Sequence, residues 1–202
     1  MVRTAIVAAV FSAGLVLPSL ANAQKQDKQY RKLLELTPTH FAETATVEGD
    51  DLDAIITVDT SEGYQRKQGL FSQAADDVFL RAFVSKSSGE ALFQVYYQVT
   101  YRAQNWANIR SASYLLSGDL KSADTSSLHH DVECSASGCG YLEIVGFMIP
   151  ESDLAALAST YATDGEPMRV RFRTQHGEDF DTVLTPAEAA GLMEVVDGIR
   201  ER

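Results

Sequence analysis

Two cysteines give the first group of residues in this sequence whose types and spacing suggest chemistry. Cys134 and Cys139 are separated by Ser-Ala-Ser-Gly, and a turn of that length brings two Cα atoms within the distance that a disulfide needs. Gly138 supplies the backbone freedom for such a turn. A redox pair favours two intervening residues and a helix after the first cysteine, whereas a strand pattern follows Cys139. The spacing therefore predicts a structural disulfide that fixes a local turn.

A serine and two histidines near this turn raise the question of nucleophilic catalysis. Ser137 lies between the cysteines, and His129 and His130 precede them on a predicted strand. The short signatures of serine hydrolases, zinc peptidases and nucleotide-binding enzymes do not occur in the sequence. A catalytic triad assembled in space needs no such signature. We therefore favour a non-catalytic protein and keep a hydrolase as the less favoured alternative.

Metal-binding patterns are also missing from the sequence. Adjacent histidines on a strand point to opposite faces, so they do not readily bind one metal together. The acidic turn at Asp50, Asp51 and Asp53 lacks the later glycine and glutamate of a calcium-binding loop. We therefore predict neither a metal site nor a cofactor.

Three arginines alternate with apolar residues near the C-terminus. Arg169, Arg171 and Arg173 share one face of a predicted strand. If the following loop has an odd number of residues, Asp179 and Asp181 lie on the same face; a two-residue loop would bury them, which is costly. The pattern predicts the odd loop and cross-strand ion pairs. The functional alternative is an anion-binding stripe.

Three aromatic residues are candidates for contact with a partner. Trp106 is the sole tryptophan and lies between two predicted strands. It either anchors a partner or folds back over the sheet edge. Tyr64 and Phe71 lie within residues 59–77, which show no strand alternation and predict a covering loop or a short helix around 72–77. These two segments are where we expect binding.

The N-terminal segment predicts export. Arg3 is followed by an uncharged, mostly apolar stretch and by the small-x-small pattern of residues 21–23, which is typical of a signal peptide over residues 1–23. Cleavage would leave residues 24–202 as one globular domain, without a later apolar segment that could span a membrane. We expect a periplasmic protein, with extracellular release as the alternative.

The excess of acidic side chains disfavours nucleic acid as a partner. The 28 acidic and 17 basic side chains give a formal net charge of −11, and export would also remove Arg3. A charge of this sign repels phosphate backbones and anionic lipids. Binding to nucleic acid is therefore not expected.

Most of the elements that position these residues are predicted strands. Residues 141–149 are apolar on both alternating sets, which predicts a central strand covered on both faces. Further strands are predicted over residues 41–47, 52–58, 78–85, 92–102, 109–117, 168–174 and 179–184. The three between 78 and 117 are expected to form an antiparallel meander, because the connections between them are short.

Helices are predicted at three places. A short one lies within residues 24–36, and two proline-led helices start at Pro150 and Pro186, the second with a capping box formed by Thr185 and Glu188. The fold class is therefore α+β, with an antiparallel sheet or sandwich, two helices of the C-terminal half packed on it and a short N-terminal helix.

These features together favour a non-catalytic exported protein. We expect an envelope accessory module that binds an envelope protein through loops at one end of the sheet. The alternative is a small-ligand carrier with a pocket between the sheet and the helices. The sequence leaves the oligomeric state open.

Overall fold

The computed structural model describes residues 28–64, 74–136, 138–163 and 165–201. The strands are β1 Thr46–Glu48, β2 Ile55–Asp59, β3 Ala74–Ser85, β4 Ala91–Ala103, β5 Ile109–Leu116, β6 Asp119–Asp124, β7 Ser126–Ser135, β8 Gly138–Ile149, β9 Met168–Thr174 and β10 Phe180–Leu184. The helices are α1 over 28–34, α2 Pro38–Thr44, α3 Glu151–Ser159 and α4 Pro186–Arg200, with 3₁₀ turns at Ser61–Gly63 and Thr160–Thr163. The predicted signal segment, Phe71 and Ser137 lie outside the described residues.

The strands form two antiparallel sheets that face each other. The six-stranded sheet has the order β1-β2-β3-β4-β8-β7 and the four-stranded sheet the order β10-β9-β5-β6. Tyr97 of β4 stacks on Phe172 of β9 with ring centroids 4.1 Å apart, and Phe147 of β8 stacks on Tyr114 of β5 at 5.6 Å. All four side chains are buried. The core therefore lies between the sheets. The predicted α+β class is confirmed, and of the two expected architectures, a sheet or a sandwich, the protein has the sandwich.

The two C-terminal helices extend the same core. The buried cluster includes Leu154, Leu157, Ala189, Leu192 and Val196 alongside strand residues. Thr185 caps the N-terminus of helix α4, and its Oγ1 accepts a hydrogen bond from the backbone N–H of Glu188 at 3.1 Å. None of the helices in the described ranges has both the length and the apolar character that crossing a membrane requires.

The outer face of the six-stranded sheet, which points away from the second sheet, is partly apolar. Phe83 and Leu92 are cross-strand partners on this face, and Leu92, Ile55 and Met148 are 63%, 50% and 46% exposed. We call these four residues the outer patch. The prediction for residues 141–149 is confirmed in that β8 is a central strand, between β4 and β7, but its second face is only partly covered, because Met148 is exposed and Leu142 and Ile144 are half-buried.

Several local predictions are also wrong. Residues 41–47, predicted as a strand, lie largely in α2, because Thr37 caps a helix that has Pro38 in its first turn. Residues 74–77, predicted as part of a covering loop or of a short helix, belong to β3. The predicted meander breaks after β4, because β5 pairs with β6 and β9 in the other sheet. Each error concerns a segment whose local pattern is compatible with two structures.

Candidate functional site

The disulfide closes the hairpin of β7 and β8. Cys134 and Cys139 are bonded, with Cα atoms 4.0 Å apart, and Gly138 adopts a φ of +118° in the turn. The predicted disulfide is therefore confirmed, and Cys139 packs against the core. The same hairpin places His130 of β7 directly opposite Glu143 of β8.

Glu143 is a fully buried carboxylate at the centre of the candidate site. Its side chain has no solvent exposure. Oε1 accepts hydrogen bonds from the Tyr101 hydroxyl and from the backbone N–H of Asn108 at 2.9 Å, and Oε2 accepts from the N–H of Ile109 at 3.1 Å. The Tyr101 hydroxyl also accepts from the N–H of Ala107 at 2.7 Å. The carboxylate and the phenol thus bind three consecutive backbone amides, those of Ala107 and Asn108 in the loop between β4 and β5 and that of Ile109 at the start of β5.

The electrostatics of this pair keep both groups in their usual protonation states. Burial acts to raise the pKa of Glu143, but hydrogen bonds from Tyr101, Ile109 and Asn108 hold the pKa below its ordinary value. Burial is the main cause that raises the pKa of Tyr101. An anionic carboxylate is tolerated without solvent only when hydrogen bonds compensate for its lost hydration. Glu143 therefore stabilises one conformation of the loop.

The loop that Glu143 holds carries Trp106. Its indole ring packs edge-to-face against Tyr141, with centroids 4.8 Å apart, and against His130 at 5.1 Å. The ring is half-buried. Trp106 thus folds back over the sheet edge, which is one of the two orientations expected from the sequence, and part of it still faces solvent.

A second loop is fastened to the first. The backbone N–H groups of Gln175 and His176 donate to the carbonyl of Ala107 at 2.9 and 3.0 Å, and the amide of Asn108 donates to the side chain of Gln175. Asn108 has a φ of 58°, a left-handed conformation that costs free energy for a non-glycine residue. We call residues 104–108 together with 175 and 176 the Trp106 tip.

The Trp106 tip surrounds a shallow, open depression of about 430 Å³. It is lined by Asn105, Trp106, Asn108 and His176. Within the described part of the chain, the Asn105 amide, the Trp106 indole N–H and the His176 ring form no hydrogen bond to other protein groups. The depression therefore offers an aromatic surface together with hydrogen-bond donors and acceptors that a ligand can use.

His130 connects the tip to Ser127. Its Nδ1 lies 2.9 Å from Ser127 Oγ, and its Nε2 lies 3.5 Å from Glu143 Oε2. The order serine, histidine, acid matches a hydrolase triad, but 3.5 Å is too long for a strong hydrogen bond and Glu143 already accepts three others. Ser127 also lies exposed on an edge strand. This arrangement orients the imidazole and does not amount to an activated nucleophile.

The three arginines of β9 lie on the outer face of the four-stranded sheet. The loop between β9 and β10 has five residues, so the predicted odd loop is confirmed. Arg171 forms a two-pronged ion pair with Asp181 at 2.5 and 2.8 Å, and Arg173 pairs with Asp179 at 2.7 Å. The hydrogen bond from Arg171 lowers the pKa of Asp181. Arg171 and Arg173 thus have acidic partners, and Arg169 is the exception among the three arginines. This pairing disfavours an anion-binding stripe.

Tyr64 belongs to a different part of the fold. Its hydroxyl donates to the carbonyl of Gln29 at 2.8 Å, and its ring packs against the small cluster of Leu33, Phe41 and Ala187. The structure therefore does not bring Tyr64 to the depression beside Trp106. Phe71, the other candidate of this segment, lies outside the described residues.

Sequence reasoning missed the role of Glu143. The signal was present, because Glu143 is a lone acid on a strand face shared with Tyr141, Val145 and Phe147. A charge at such a position needs buried partners, but their identity depends on β4 and on the loop after it.

Across the described ranges, no group of three or more histidine, cysteine, aspartate or glutamate side chains is placed to hold a metal ion.

Comparison with known proteins adds no functional assignment to this geometry. No family model, no curated protein and no solved structure matches the chain.

Proposed function

We propose that this chain is a non-catalytic, exported binding module that contacts a large component of the cell envelope through the Trp106 tip. The observation that carries the proposal is the buried carboxylate of Glu143, which binds the backbone of a solvent-facing loop. Such a loop is ordered before its partner arrives, so binding loses little conformational entropy. Tryptophan is also among the residues that contribute most to binding interfaces.

The shape of the depression favours a large partner. Sites for small ligands enclose most of the ligand surface, whereas this depression is open and lies at the loop end of the sandwich. The small-ligand carrier expected from the sequence needs a pocket between sheet and helices, where stacked aromatic rings and helix side chains fill the core. An envelope component, protein or polysaccharide, therefore fits the tip better than an enclosed small molecule.

Export is supported by two features. Residues 1–23 have the composition of a signal peptide, and a structural disulfide suits an oxidising compartment. We place the protein in the periplasm, with release to the medium as the alternative. A mass spectrum of exported protein that starts at Gln24 supports this assignment, whereas an intact Met1 contradicts it.

Site-specific photo-crosslinking in the intact envelope of the native host tests the binding surface. The crosslinking side chain is placed at Asn105 of the tip, with matched positions at Leu92 of the outer patch and Arg171 of the second sheet; all three are exposed. We expect one dominant adduct from Asn105 and none from the other two. A dominant adduct from Leu92 alone would refute the proposal, because the outer patch would then be the interface.

A further inference from the structure

Resting on the proposed function, we infer that the Trp106 tip binds a neutral saccharide chain. The side chains that line the depression are one indole, two primary amides and one imidazole. An amide both donates and accepts hydrogen bonds, as does each hydroxyl of a sugar. The apolar C–H faces of a pyranose ring complement the aromatic surface beside these amides. The lining therefore matches a polyhydroxylated ligand in both its polar and its apolar parts.

The charge distribution argues for a neutral ligand. No carboxylate, ammonium or guanidinium group is among the described residues that line the depression. Glu143, which binds the backbone of the tip, is buried and accepts three hydrogen bonds, so it cannot bind a cation from solvent. An anionic ligand would meet the field of a chain with a formal net charge of −11. Neither sign of charge is favoured at the depression.

The polarity of the tip distinguishes a saccharide from a protein partner. Protein interfaces have a buried apolar centre surrounded by a polar rim. At the tip, polar groups of Asn105, Asn108 and His176 surround a single half-buried ring, and no other large apolar side chain is among the described residues that line the depression. A chain of sugars can lie along this shallow, open surface and make several such contacts.

Titration of the disulfide-bonded protein with cellotetraose, maltotetraose and chitotetraose tests the inference. These probes cover β- and α-linked glucose and an N-acetylated sugar, and the fluorescence of the sole tryptophan and amide NMR shifts report binding. We expect saturable binding of at least one, with shifts confined to the Trp106 tip. Tetragalacturonate serves as the anionic comparison, and we expect it to bind more weakly; tighter binding would contradict the argument for neutrality.

Two variants check that the response comes from the lining side chains. Asn105→Ala removes an exposed amide without other bonds in the described structure, so folding should be unaffected, and affinity should fall about three- to tenfold. Gln98→Ala removes an exposed amide on the outer face of β4 and should leave affinity unchanged. Equal loss in both variants would overturn the assignment of the site.

The outcomes separate this inference from the proposed function. No response to any of the three sugars at about 10 mM overturns the saccharide inference, because even weak sites are occupied at that concentration. If Asn105 still crosslinks to a protein in the envelope, the binding module survives with a protein partner. If Asn105 yields no adduct and no sugar binds, both the saccharide and the function of the tip are refuted.

Discussion

Replacing Glu143 with glutamine tests whether the buried carboxylate organises the Trp106 tip. A glutamine oxygen can still accept the hydrogen bonds that Oε1 receives from Tyr101 and Asn108. Its amide nitrogen would then face the N–H of Ile109, which the wild-type Oε2 accepts at 3.1 Å. Two donors would therefore face each other in a site without solvent.

The magnitude follows from these contacts. A buried N–H without an acceptor costs about 1–3 kcal/mol, and hydrogen bonds to a neutral oxygen are weaker than those to a carboxylate by about 1 kcal/mol each. Removing a buried charge gives back part of its desolvation cost. We expect Glu143→Gln to lower the free energy of unfolding by about 2–3 kcal/mol.

Urea denaturation with the disulfide intact measures the loss, followed by far-UV circular dichroism and by tryptophan fluorescence. Amide hydrogen exchange should show reduced protection at Asn108 and Ile109 in the same variant. The matched control is Glu133→Gln on β7, since Glu133 is exposed and surface changes have effects within about 0.5 kcal/mol. If Glu143→Gln is no more destabilising than this control, the carboxylate does not organise the tip.

Three further predictions follow from the same contacts. Stability should fall as the pH drops below about 4.5. Hydrogen bonds lower the folded-state pKa of both Glu143 and Asp153 despite their burial, so protonation of these carboxylates favours the unfolded chain. A urea midpoint that rises towards pH 3 would contradict this prediction. Burial and the hydrogen bond to Asp153 raise the pKa of Tyr114 from 10.0 to about 12, so the ultraviolet titration curves of the wild type and of Tyr114→Phe should differ by one phenol that ionises near pH 12; a difference centred near pH 10 is the contrary result. Replacing Cys134 and Cys139 by serine should cost about 2 kcal/mol, as expected for a short closed loop, and native protein should show no titratable thiol; two thiols would exclude the bond.

The elements that could be predicted from the sequence are those governed by local rules. The turn between Cys134 and Cys139 follows from its length and its glycine. The odd loop after β9 follows from the cost of burying Asp181 on the apolar face. Helix α4 follows from the N-cap residue Thr185 and from Pro186, which occupies the first helical position. In each case neighbouring residues suffice, because steric limits and side-chain alternation act over a few positions.

Other local signals were ambiguous, and packing decided between them. The pair Thr37-Pro38 ends one helix and also starts the next, and α2 formed because Phe41 is buried beside Leu33 and Ala187. Glu188 satisfies the pattern of a capping box. Its carboxylate nevertheless accepts hydrogen bonds from the hydroxyl of Thr60 and from the backbone N–H of Leu80 in β3. Spacing alone does not reveal such distant partners.

The sequence by itself determined the export signal pattern, the disulfide turn and the strand-rich character of this protein. The tertiary structure decided that β5 leaves β4 for the second sheet, that Glu143 meets the loop after β4, and that Asn105, Trp106, Asn108 and His176 line one depression. The physical reason is the distance along the chain over which the determining interactions act. Backbone conformation responds to near neighbours, whereas a site depends on which distant surfaces bury each other, and many arrangements of the same strands satisfy the same alternation.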